Sequence, residues 1–80
     1  MTIGEAVRKR ILDLCRVNGI TINRLSIQSG VTQSTVNNIV SGRNNSATVS
    51  TVKKLCDGLG ITIQDFFDSD VFDDLEQEIK

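Results

Sequence analysis

Eighty residues, 39% of them hydrophobic, with a formal net charge of −1, make one domain with a thin core and leave no room for a separate ligand-sensing module. No run of about 18 apolar residues occurs, which excludes a transmembrane helix, and the start Met1-Thr2-Ile3-Gly4-Glu5 lacks the charged-then-apolar layout of a secretion signal, so a cytoplasmic protein is expected. With two cysteines and no histidine, a structural zinc site lacks its four ligands; Cys15 and Cys56 read as small core residues, and no cofactor or metal is expected.

Helical periodicity dominates the chain and strand alternation is nearly absent. Ile3, Val7, Ile11, Leu14 and Cys15 recur every three to four residues, which predicts a first helix over 3–18, ended at Asn18-Gly19. Thr21 opens a second helix carrying Ile22, Leu25 and Ser26, which stops at Ser29-Gly30. Thr32 is a good N-cap for a third, with Val36, Ile39 and Val40 as its apolar stripe and Gly42 at its end. After a polar loop, Thr48 caps a fourth helix whose expected buried face is Val49, Val52, Leu55, Cys56 and Leu59. Gly58 falls inside that helix at a cost of about 1 kcal/mol relative to Ala. Thr62 begins a short fifth helix with Ile63, Phe66 and Phe67. Residues 68–80 are either an acidic tail or an amphipathic sixth helix, capped by Asp70 and striped by Val71, Phe72, Leu75 and Ile79. A helix of that length is marginal alone in water, so it needs its own domain or a partner to dock on. The expected division is a domain over 1–67 and this segment over 68–80.

The small net charge conceals an asymmetry. Residues 1–54 carry eight Lys and Arg against two acidic residues, whereas residues 55–80 carry one Lys against eight. A basic face for a polyanion and a separate acidic segment follow.

The stretch from Thr21 to Ser41 is the informative one. Two helices joined by a tight Gly30-Val31-Thr32 turn have the layout of a helix-turn-helix. Gly30 takes the positive φ that sharpens the turn, Val31 plugs the core beneath it, and Thr32 aims a helix N-terminus outward, where a phosphate can sit. Opposite the apolar stripe of the third helix lie Ser34, Asn38 and Ser41, with Asn37 on the flank and Gln33 in the first turn. A polar face without acidic residues suits a major groove. Gln and Asn make bidentate bonds to adenine, and Ser and Thr reach phosphates or base edges.

With these motifs the chain resembles the Cro/C1-type, or XRE, helix-turn-helix regulators of bacteria and phages over about Val7 to Phe67. The resemblance rests on Gly19-Ile20-Thr21, Leu25 through Ser29-Gly30 to Thr35, Ile39 with Ser41-Gly42, and Thr51 to Leu55 through Leu59-Gly60-Ile61. It implies an all-α, five-helix bundle of the lambda-repressor-like type, dimeric on operator DNA, with the third helix in the major groove. It also implies roles by position. Gln33, Ser34 and Asn38, joined by Asn37, would read bases. Thr32, Thr35, Arg43 and Asn44 would meet the DNA backbone. Many members have Gln at the second residue of the second helix; Ile22 stands there here, so Asn23 and Arg24 are the candidates for that backbone contact.

The expected function is sequence-specific double-stranded DNA binding by a transcriptional regulator, a repressor acting as a homodimer. The alternative is a protein-interaction or antitoxin-like module whose acidic C-terminal segment binds a partner. An enzyme is disfavoured, because there is no His, no Gly-rich phosphate loop and no recognisable nucleophile–base pairing. RNA stacking is disfavoured too, because Phe66, Phe67 and Phe72 lie away from the polar face.

Overall fold

The structure is a computed structural model that describes residues 1–42 and 47–79. Five helices follow one another: α1 (Ile3–Asn18), α2 (Ile22–Ser29), α3 (Gln33–Val40), α4 (Val49–Leu59) and α5 (Ile63–Phe67); a single 3-10 turn over Asp70–Phe72 follows them. Each helix begins for the same local reason. Thr2, Thr21, Thr32, Thr48 and Thr62 sit in extended conformation, and each hydroxyl accepts the backbone N–H three residues on. Such a cap contributes about 1 kcal/mol. At Thr2 and Thr62 the bond is reciprocated by Glu5 and Asp65, and the Thr2 backbone N–H holds the Glu5 carboxyl below its ordinary value.

Ile11, Leu25, Val36, Leu55, Cys56 and Phe66 form the fully buried centre, drawing one or two residues from every helix. Among the described helices, α2 packs most extensively against α4. Ser26 of α2 is buried, and its small side chain lets the backbones approach. On the α4 side, a Cβ built on Gly58 would lie 2.8 Å from Ser29 Cα and 2.9 Å from Ser29 N. Gly58 is therefore a close-approach glycine, and its low helix propensity is offset by the packing it permits.

Two arginines of α1 reach across the bundle to helix C-termini. Arg8 Nε donates to the Val40 carbonyl at 2.5 Å, at the end of α3. Arg10 donates through Nε to the Phe66 carbonyl at 2.7 Å and through Nη2 to the Asp65 carbonyl at 2.8 Å. Among the described residues the Val40 and Phe66 carbonyls accept no backbone N–H, and the Asp65 carbonyl accepts that of Asp68 as well. A cation at these ends opposes the negative end of the helix dipole.

Two sequence expectations are corrected. Val49 does not belong to the buried face of α4; as the first residue of that helix it is 80% exposed. Nor does an amphipathic helix form over 70–79: only Asp70–Phe72 turn, and Ser69, not Asp70, caps them. The reason is a competing set of contacts. Phe72 packs at 4.9 Å from Phe67 and 6.2 Å from Phe66, centroid to centroid. Further on, the Glu76 N–H donates to the Met1 carbonyl at 3.0 Å, and the Glu76 carboxylate lies 3.3 Å from the terminal ammonium. Val71, Phe72 and Leu75 are half-buried on the chain's own body, and Ile79 is exposed.

Candidate nucleic-acid interface

The turn between α2 and α3 follows from Gly30, whose φ of 68° lies in the left-handed region. Its N–H caps α2 by donating to the Ile27 carbonyl, and the next N–H, that of Val31, donates to the Ser26 carbonyl. Val31 is buried beneath the turn, and Thr32 then starts α3. The Thr32 hydroxyl accepts the Thr35 N–H at 3.3 Å and lies 2.8 Å from the Thr35 hydroxyl and 3.5 Å from that of Ser34. The first turn of α3 is thus a connected hydroxyl cluster at an exposed helix N-terminus.

Helix α3 is anchored through Val36 and Ile39, both buried, with Val40 half-buried beside them. Everything on its other side is exposed: Gln33, Ser34, Thr35, Asn37, Asn38 and Ser41. No hydrogen bond joins the side-chain amides of Gln33, Asn37 or Asn38 to another described residue. This surface is wholly polar and uncharged, rich in paired donor and acceptor groups, which is the chemistry required to read the edges of base pairs.

Of the remaining candidates, Asn23 and Arg24 are exposed in the first turn of α2, where Thr21 accepts the Arg24 N–H at 3.0 Å. Ile22 turns the other way and packs against the core, so it presents no polar group outward. Arg43 and Asn44 lie outside the described residues. The polar candidates of α3 come together on one helix face; those of α2 occupy the start of the preceding helix.

Sequence reasoning did not find Arg8. Its bond to the Val40 carbonyl fixes the far end of α3, so the reading helix is held at its N-terminus by a threonine and at its C-terminus by an arginine. No local pattern marks this, because the partner lies 32 residues away. Beside that bond, Thr2, Glu5, Arg8, Ser41 and Gly42 line a shallow polar depression.

The family model for the Cro/C1-type HTH DNA-binding domain matches residues 10–70. The chain belongs to that family. A Cro/C1-type domain is a DNA-binding module of transcription regulation, and the all-helical bundle with its exposed α3 is its architecture. Among solved structures, the crystal structure of the prophage Lp1 protein 11 is similar to this Cro/C1-type chain with a TM-score of 0.81 and 37% sequence identity, over 94% of this chain and 99% of that one. No curated protein matches. No helix among the described residues is long and apolar enough to cross a membrane.

Proposed function

We propose that this protein is a sequence-specific repressor that binds an operator in double-stranded DNA as a homodimer, with α3 in the major groove. The observation that carries this reading is the exposed, uncharged amide and hydroxyl face of α3 above a buried Val36–Ile39 anchor. Gln33, Ser34, Asn37 and Asn38 read bases, the three side-chain amides by bidentate bonds to adenine. Thr32, Thr35, Asn23, Arg24, Arg43 and Asn44 meet the backbone. The hydroxyl cluster supports a phosphate contact in a specific way. Because Thr32 Oγ1 accepts the Thr35 N–H, its own proton is free to go to Thr35 Oγ1, which leaves the Thr35 proton for a phosphate oxygen. The N–H groups of Gln33 and Ser34, at the head of the helix, add to that anion site.

Binding rather than catalysis, in the cytoplasm where the DNA is reached, goes with this reading. A protein-interaction or antitoxin-like role for residues 68–80 draws on the stripe of Val71, Phe72, Leu75 and Ile79. It is the weaker reading, since the first three are half-buried within the chain itself.

Selection of bound sequences from random duplex DNA, at two salt concentrations, tests the proposal. An enriched inverted repeat is expected. On that sequence, Gln33→Ala and Asn38→Ala each cost about 1–3 kcal/mol and relax the preference at one base position. Unchanged affinity in both variants, with the fold intact, sinks the assignment of α3 as the reading helix.

A further inference from the structure

Helix α3 has eight residues, little more than two turns. Its second turn carries Asn37 and Asn38, half of the proposed base readers. A helix this short is marginal in water on its own, so each end keeps its geometry only through partners. At the start the partners are local: the Gly30 turn, the buried Val31 and the Thr32 cap. At the other end they are not.

The last four carbonyls of a helix have no donor within it. Among the described residues, those of α3 find the following partners. The Asn37 carbonyl accepts the Ser41 N–H at 2.8 Å, and the Ile39 carbonyl accepts that of Gly42 at 3.4 Å. The Asn38 carbonyl accepts the Ser41 hydroxyl at 3.4 Å. The Val40 carbonyl accepts Arg8 Nε at 2.5 Å, the shortest of the four bonds and the one drawn from another helix. The two bonds at 3.4 Å are weak, which leaves the arginine as a main support of this end.

Arg8 is well placed to be a fixed point. Ala6, Val7 and Ile11 around it on α1 are buried, and Val7 and Ile11 share the core with Val36 and Ile39 of α3. The two helices therefore stand in a set register, and the guanidinium spans the gap between them. No carboxylate among the described residues pairs with Arg8, so the Val40 carbonyl is the partner that orients it.

We infer that Arg8 determines base specificity without touching DNA: by holding the last turn of α3 it places the Asn37 and Asn38 amides for reading. The inference rests on the operator-binding reading above and adds a positioning residue to it. A binding constellation works only when held within about 0.5 Å and 10–20° of its productive geometry. Without Arg8 the Val40 carbonyl turns to water and the last turn frays. Gln33, a turn earlier and beside the Thr32 cap, keeps its place. The loss is therefore uneven along a half-site, falling on the base pairs read by Asn37 and Asn38 and sparing the one read by Gln33. Two simpler roles for Arg8 produce no such pattern. A phosphate contact adds affinity for all sequences alike and raises the salt slope. A general loss of stability lowers the binding-competent fraction equally for every sequence.

The experiment uses the full chain and the inverted repeat recovered by selection, with every single-base change in one half. Gln33→Ala and Asn38→Ala first mark the base pair that each residue reads. Arg8→Met keeps an unbranched side chain of good helix propensity but has no donor. It is expected to reduce discrimination at the Asn38 base pair by roughly threefold to tenfold, part of what a bidentate pair supplies. Discrimination at the Gln33 base pair and the salt slope stay unchanged. Arg8→Lys, which keeps a donor, retains most of the discrimination. In the Asn38→Ala background Arg8→Met has no further effect at that base pair, because both changes act on one interaction. Arg10→Met is the control for stability: it removes the bonds at the end of α5 and leaves discrimination at both base pairs intact. Without DNA, amide hydrogen exchange at Ser41 and Gly42 speeds up several-fold in Arg8→Met, while that of Val36 does not.

Equal loss at the Gln33 and Asn38 base pairs, or no loss at either, overturns the inference while the operator reading stands. A uniform loss with the salt slope lowered by about 1 makes Arg8 a phosphate contact and overturns it as well. Unchanged exchange at Ser41 and Gly42 overturns the hold on the helix end. No enrichment from the random pool overturns the operator reading and this inference with it.

Discussion

Replacing Gly58 by Ala sets helix propensity against packing, and the two predict opposite signs. In an exposed helix interior the change stabilises by about 0.8–1 kcal/mol. At this position the new methyl would sit 2.8 Å from both Cα and Cβ of Ser29 and 2.9 Å from its backbone nitrogen. Two of these three atoms are main chain, so no rotamer of Ser29 clears the methyl, and α2 and α4 must separate. That separation loosens Leu25, Ser26, Leu55 and Cys56, all buried at this junction. Overpacking of a tight core costs typically 1–3 kcal/mol, and a clash against backbone belongs in the upper part of that range. After subtracting the propensity gain, Gly58→Ala is expected to destabilise by about 1–2 kcal/mol. For a domain of this size the melting temperature falls by roughly 5–15 °C. Thermal and urea unfolding followed by helical circular dichroism measure this directly, and the urea slope should not change, because the surface exposed on unfolding is the same. A melting temperature equal to or above that of the wild type refutes the close approach of α2 and α4.

The basic residues separate into two kinds by experiment. Arg10→Met removes the donors to the Phe66 and Asp65 carbonyls and is expected to cost about 1–2 kcal/mol of stability, while the salt slope of DNA binding stays put. Arg24→Ala is expected to leave stability within about 0.5 kcal/mol and to lower that slope by about 1. The reverse assignment of the two effects would show that the arginine roles are misplaced. Burial pushes both the Cys15 and Cys56 thiols above their ordinary value. Raising the pH to 8 thus produces less thiolate than in a free cysteine, and an aromatic disulfide reagent should label neither residue until denaturant unfolds the chain. Rapid labelling of the native protein would place at least one thiol outside the core.

Helix starts were legible because their cause is local. Thr21, Thr32, Thr48 and Thr62 can be recognised from the residues beside them, and the Gly30 turn from its place between two apolar stripes. The exposed face of α3 was legible for a related reason: Val36 and Ile39 fix the inward direction, and the rest follows from helix geometry. What could not be read depends on distant parts of the chain. Gly58 looked like a defect because Ser29, which needs the space, lies on another helix. Nothing local distinguishes Arg8 and Arg10 from ordinary exposed charges, because their acceptors are 32 and 56 residues away. Val49 has core spacing, yet as the first residue of its helix it is exposed. The stripe from Val71 to Ile79 has helical spacing too, but Phe72 gains more from Phe66 and Phe67 than a marginal helix would supply.

The partners that the cations find within the chain bear on how the proposed operator is told from other DNA. Of the seven Lys and Arg in the described part of residues 1–54, Arg8 and Arg10 serve helix ends, and Arg16 and Lys53 face Asp13 and Asp57. Arg8 and Arg10 can reach a phosphate only by releasing the helix ends they hold. On the operator-binding reading their charges therefore add to the field around the chain without adding contacts to DNA, and the choice between an operator and arbitrary DNA falls to the uncharged face of α3.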